Sequence, residues 1–154
     1  MKRVSMYIVA SIMKKWVQTQ NGAMSTFLKD VLHRINAGLG KTEDEYYQAI
    51  AKTFLVSCDN AHALHPNHAE KTDAVNFVTM NGGIVIKESA NQKYTTDAFS
   101  RALFTGVCQN VNVPVQSFAN RSDVVGGSTL GNLSNTQVSV HACLLYTSDA
   151  ADEL

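Results

Sequence analysis

The 154 residues carry thirteen Lys and Arg against thirteen Asp and Glu, for a formal charge of zero, and 45% of them are hydrophobic. That length and apolar content suit one globular domain with a buried core and exclude a disordered chain. The charges form no long run of one sign, which excludes the basic footprint of a nucleic-acid or anionic-membrane binder. Cys58, Cys108 and Cys143 are odd in number and lack C-x-x-C spacing, which argues against a disulfide framework or a zinc knuckle and for a reducing, cytoplasmic setting. Lys2, Arg3 and the apolar run 6–13 imitate a signal peptide without a small-residue cleavage site. No apolar stretch reaches the roughly 18 residues of a membrane span.

Ser25 is placed to cap a helix whose apolar residues Phe27, Leu28, Val31, Leu32 and Ile35 recur at helical spacing, with Gly38 and Gly40 as the stop. Thr42-Glu43-Asp44-Glu45 reads as a capping box for a second helix with Tyr46, Tyr47, Ile50, Ala51 and Phe54 as its buried stripe. Phe54 to Cys58 and Gly83 to Lys87 are short apolar runs that read as strands, separated by a loop rich in His and Asn. Thr95 or Thr96 opens a third helix, with Phe99, Leu103, Val107 and Val111 expected inward and Pro114 beyond its end. Val115 to Phe118 and Gln137 to Val140 are further strand candidates, either side of the run Gly126-Gly127-Ser128-Thr129-Leu130-Gly131. Helices alternating with short apolar strands predict an α/β fold, a mixed sheet flanked by helices.

The densest polar cluster runs from Asp59 to His68, where a strand hands over to a loop. One carboxylate and the imidazoles of His62, His65 and His68 offer oxygen and nitrogen donors of the kind zinc prefers, while Pro66 prevents a helix from stacking them, so a hydrogen-bonded polar loop is the competing reading. The glycine-rich run could cradle an oxyanion or form a plain tight turn; it matches neither the Walker nor the dinucleotide fingerprint. Lys87 at a strand end and Tyr94 seven residues on could orient an anionic ligand or simply lie at the surface.

Taken in order, Gly22 to Leu28 (GAMSTFL), Asp59 to His68 (DNAHALHPNH), Gly82 to Lys87 (GGIVIK), Asn91 to Thr96 (NQKYTT), Asn120 to Asp123 (NRSD) and Gly126 to Gly131 (GGSTLG) resemble the aspartyl aminopeptidase family of dinuclear zinc metalloaminopeptidases, over about Gly22 to Val140. The resemblance implies part of a catalytic α/β domain that holds two zinc ions near strand ends, removes N-terminal Asp or Glu from peptides and assembles as a dodecamer. It implies Asp59 as a zinc ligand close to the substrate, His62 as a substrate-contacting imidazole, and Lys87 and Tyr94 as further substrate contacts, the ammonium suiting an acidic side chain. It assigns His65 and His68 no ligand role, and Cys58 replaces a residue that is usually Ala.

The family's upstream His, bridging Asp, Glu-Glu pair and distal His find no match here. The pair is expected about ten residues before GAMSTFL, where this chain reads Met13-Lys14-Lys15-Trp16-Val17. Reading each codon one nucleotide earlier forces Glu from Met13/Lys14, permits Glu from Lys14/Lys15 and forces Gly from Trp16/Val17, so residues 1–20 are expected to be a frameshifted segment. Cys143 to Glu153 (CLLYTSDAADE) resembles a translated sequencing adapter, which makes 143–154 the expected foreign tail and 21–142 the partial metallopeptidase domain. With Asp59 as its one metal donor, the chain is expected to be an inactive enzyme fragment. The alternative is a non-catalytic assembly or binding module that keeps only the fold.

Overall fold

The computed structural model describes residues 22–91, 93–121, 123 and 127–149, the last four of these by backbone alone. The expected frameshifted segment lies outside the described residues, as do Gly126 and the end of the expected tail. In chain order the elements are α1 (Phe27–Gly38), α2 (Glu43–Ala51), β1 (Phe54–His62), a 3-10 turn (Ala69–Lys71), β2 (Ile84–Glu88), α3 (Ala98–Asn110), β3 (Val115–Ala119), α4 (Leu130–Asn135) and β4 (His141–Asp149). They form the expected α/β arrangement.

Local signals hold where side chain and backbone satisfy one another. Thr42 Oγ1 accepts the Glu45 N–H at 3.2 Å and Glu45 accepts the Thr42 N–H at 2.9 Å, which starts α2 as the capping box requires. Tyr46 is buried and its ring lies 3.8 Å from the His33 ring of α1. Tyr47, however, is exposed and Phe54 belongs to β1, so the expected stripe of α2 is narrower than its sequence suggests. At α1 the cap position is Thr26 rather than Ser25, whose hydroxyl instead donates to the Gly22 carbonyl at 2.7 Å. Gly40 at φ +67 closes that helix, and the Lys41 N–H returns to the Asn36 carbonyl.

The sheet order is β1-β4-β2-β3. β1 and β4 run parallel over nine residue pairs, from Phe54↔His141 to His62↔Asp149. β2 is antiparallel to β4 and parallel to β3, with α3 as the crossover between β2 and β3. Strand β1 therefore extends four residues beyond the expected Cys58, because pairing alongside β4 over the whole of its length outweighs the weak strand preference of Asp59 and Asn60. Residues 137–140 are not the expected strand. The Gln137 and Val138 amides both return to the Ser134 carbonyl, and β4 starts only at His141. It runs through Cys143 to Asp149, part of the segment set apart by its resemblance to an adapter, whose Cys-Leu-Leu run has the apolar chemistry of a central strand.

Both faces of the sheet are covered. Ala61, Val78, Val85, Tyr94 and Leu144 pack on one, with Phe118 against them; Ile86, Cys143 and Leu145 pack on the other, with Phe54, Ile84, Phe104 and Val115. Burial pushes the Cys143 thiol up to about 11, so it stays neutral through physiological pH. Helix α3 covers the second face through Phe104 and Arg101, whose guanidinium reaches Glu88 at 2.5 Å and Ser117 at 2.9 Å. The expected inward row of α3 is corrected: Phe99, Leu103, Val107 and Val111 are 44–63% exposed, while Ser100 and Cys108 are buried. The start of the helix differs as well. Asp97, not Thr95 or Thr96, is the cap: its carboxylate accepts the Ser100 N–H at 2.7 Å, and Ser100 Oγ accepts the Asp97 N–H at 2.9 Å.

The Ser100 amide, with the Ser100 hydroxyl and His141 adding to it, holds the Asp97 carboxyl below the usual range. The stability it confers is complete above the pKa of an Asp in the unfolded chain, about 3.9, and is lost as pH falls through the lower folded-state value. Asp97→Ala is expected to cost about 1 kcal/mol at pH 7 by urea denaturation, a difference that shrinks below about pH 4. An undiminished difference at pH 2.5 would remove the carboxylate from the account.

Candidate functional site

Strand alternation and register decide which polar side chains share a surface. Ser57, Asp59 and Ala61 fall on one side of β1, and the rows Asp59↔Tyr146 and Val85↔Tyr146 carry that side across β4 to Val85 and Lys87 of β2. Lys87 pairs in turn with Phe118 of β3. Continuing the antiparallel register by one residue sets Lys87 level with Leu144, which pairs with Ser57. Lys87 and Asp59 are thus two strand spacings apart, about 10 Å, and two residues out of level.

Asp59 is half-buried, and its Oδ1 accepts the N–H of Asn60 at 2.9 Å. The Lys87 ammonium lies 4.9 Å from the Tyr94 ring centroid and 4.5 Å from that of Phe118. Tyr94 is buried in the core below, and its phenol oxygen accepts the Asn120 amide N–H at 2.8 Å. Asp59, Lys87 and Tyr94 therefore belong to one face. His62, exposed at the end of β1, has the opposite parity and is not brought to them by strand geometry. A surface with one carboxylate and one ammonium at this spacing can meet an amine or metal at one end and an acid at the other.

The remaining polar candidates have local partners. His65 Nδ1 accepts the Asn67 N–H at 3.2 Å, and His68 Nδ1 lies 3.1 Å from Glu70, as the hydrogen-bonded loop reading requires. The end of the glycine-rich run brings α4 against β1: a Cβ on Gly131 would stand 2.8 Å from Ser57 Cβ. Arg121, the cation nearest that run in sequence, is engaged by both carboxylate oxygens of Asp123 and by the Glu70 carbonyl, which leaves little for a phosphate. Two residues of the site were given no role from sequence: Phe118 stood only as the end of a strand candidate and Asn120 as the first residue of the NRSD motif, and their i, i+2 spacing was the available signal.

Among the described residues, no three His, Cys, Asp or Glu side chains converge as a metal site. Zinc takes about four donors, so Asp59 with its described neighbours does not fit the ion.

A sequence profile described as aminopeptidase I zinc metalloprotease (M18) matches residues 17–144. The chain is 43% identical over 124 residues to a probable M18 family aminopeptidase 2 of Clostridium novyi (strain NT), a match that covers 80% of this chain and 29% of that protein. It is 42% identical over 134 residues to aspartyl aminopeptidase 1 of Schizosaccharomyces pombe, covering 79% and 28% respectively. The cryo-EM structure of an Ape4 and Nbr1 complex superposes with a TM-score of 0.80 at 39% identity, covering 87% of this chain and 25% of that one. An M18 aminopeptidase from Thermotoga maritima, at 20% identity and a TM-score of 0.73 over 84% of this chain and 30% of its own, shares the fold. The chain spans less than a third of the length of these curated relatives.

The donor set leads to a direct expectation. Zinc at about 100 μM should leave the melting temperature of the chain unchanged within about 1 °C, since only a ligand bound well below its own concentration stabilises measurably. A rise of several degrees that disappears in Asp59→Asn would show a site these residues complete.

Proposed function

The chain belongs to the M18 family of aminopeptidase I zinc metalloproteases, and on that basis we propose that it is part of an enzyme that removes N-terminal Asp or Glu from peptides, and that these 154 residues alone do not catalyse the reaction. The observation that carries the reading is the common face of Asp59 and Lys87, a carboxylate and an ammonium about two strands apart. Asp59 supplies one oxygen donor toward a dinuclear zinc centre whose other donors come from outside the described residues, and it lies where a substrate's terminal amine would approach. Lys87 binds the acidic side chain, with Tyr94 beside it, and His62 contacts the substrate from the strand end. Bound zinc would supply Lewis acidity toward the scissile carbonyl and an acidified water. The name of the fission-yeast relative, an aspartyl aminopeptidase, supports the acidic preference.

The same reading takes residues 1–20 as frameshifted and 143–154 as adapter-derived, the enzyme as cytoplasmic, and the assembled form as a homo-oligomer; a neighbour of the same fold is described as a dodecamer. The nucleotides of the open reading frame test the first two points: codons at Lys14 and Lys15 that cannot yield Glu-Glu in the neighbouring frame exclude the frameshift.

A second reading, a non-catalytic assembly module, is favoured by the exposed row Phe99, Leu103 and Val107 on α3. Incubated with zinc, the purified chain is expected to release no Asp from an aspartyl chromogenic substrate. Zinc-dependent release would refute its inactivity, whereas inactive but stable oligomers by light scattering would favour the assembly module.

A further inference from the structure

We infer that Asn120, the first residue of the NRSD motif, is a positioning residue for the proposed reaction: by donating to the Tyr94 oxygen it turns the phenol hydrogen away from itself, so that Tyr94 gives that hydrogen to a substrate carboxylate. The inference rests on the reading of Tyr94 as a substrate contact and deepens it.

The Tyr94 ring needs no hydrogen bond to stay in place. It is 5% exposed and packs with Ala61, Val78, Val85 and Leu144. What packing leaves undecided is the direction of the hydroxyl hydrogen, because a phenol oxygen can accept one hydrogen bond and donate another. An acceptor beside it draws the hydrogen to itself; a donor turns the hydrogen away. Asn120 Nδ2 donates to the Tyr94 oxygen at 2.8 Å, and among the described residues no hydrogen bond takes the Tyr94 hydrogen. A carbonyl or carboxylate in place of the amide would satisfy the buried phenol equally well, but would consume the donor.

Asn120 is itself held. It is half-buried directly after β3, and the next residue, Arg121, is anchored by Asp123 at 2.9 Å and by the Glu70 carbonyl. The motif thus ties the chain leaving β3 to Tyr94 on one side and to the 3-10 turn on the other. A hydrogen bond to an ionised acceptor is worth more than one to a neutral group, so an oriented O–H favours a carboxylate over a side chain that cannot accept. Asn120 need not touch the substrate; it acts through Tyr94.

The test uses the full 154-residue chain, isotopically labelled, with NMR titrations of α-L-aspartyl amide and, as the control without a side-chain acceptor, L-alanine amide. Before any ligand is added, the Asn120 side-chain amide protons should shift on Tyr94→Phe. Indifference of those protons in a folded variant would overturn the inference. Asn120→Asp keeps the shape but presents an acceptor, and should lower the affinity ratio of aspartyl over alanine amide by about 3- to 10-fold, as Tyr94→Phe should. Asn120→Leu should lower the ratio less, and should add nothing in the Tyr94→Phe background. An undiminished further loss from Asn120→Asp in that background would assign the effect to its charge and overturn the inference. So would a weakening of both probes alike by the Asn120 variants, which is the mark of a merely structural role. If Tyr94→Phe leaves the ratio unchanged, the reading of Tyr94 as a substrate contact fails; if Tyr94→Phe lowers it and the Asn120 variants do not, only the positioning role fails.

Discussion

Strand β4 is bonded on both sides, parallel to β1 and antiparallel to β2, and the placement of β1 against β2 and β3 is measured from it. Its side chains serve both cores at once, Leu144 on one face and Cys143 and Leu145 on the other, all at most 5% exposed. Without it, β1 would not be joined to the pair β2–β3, since no other strand among the described residues links them. Hydrophobic burial on two faces and a ladder on two edges make such a strand the costliest part of a sheet to disturb.

The antiparallel seam between β4 and β2 also decides where the functional face lies. In an all-parallel sheet, residues near the carboxyl ends of β1 and β2 would gather at one edge. Here β1 and β2 run in opposite senses, so their carboxyl ends point to opposite ends of the sheet; Lys87, next to last in β2, comes level with Ser57, and Asp59, in the middle part of β1, with Val85, which leaves the two side chains two residues out of level across β4. The pleat then sorts side chains by parity: Asp59, Val85, Lys87 and Phe118 to one side, and His62 to the other.

Short-range rules were legible wherever a side chain completes its own backbone. The capping box at Thr42 and the stop at Gly40 follow from residues within three or four positions, and both stand in the structure. The length of β1 was not legible, because Asp59, Asn60 and His62 read as loop chemistry until a partner strand lies alongside them. Nor was the rotation of α3. Phe99, Leu103 and Val107 form a regular apolar row, but the cap at Asp97 and the bridge from Arg101 to Glu88 and Ser117 turn another face to the sheet. Of the candidate site, Asp59, Lys87 and Tyr94 were given roles by motif; Asn120 stood in a motif without a role, and the placing of Phe118 beside Lys87 and of Asn120 on Tyr94 came from strand pairing and a hydrogen bond spanning 26 residues.

The order of residues, by itself, determined the α/β class, the family and the chemical kinds of group on offer, since motifs and periodicity are properties of neighbouring positions. Tertiary structure decided which of those groups share a surface. It set Asp59 and Lys87 on one face, parted His62 from them and placed two aromatic rings against the ammonium. The physical reason is that strand register and pleat parity are fixed by hydrogen bonds between segments far apart in the chain, and a one-residue change in pairing would send each of these side chains to the opposite face.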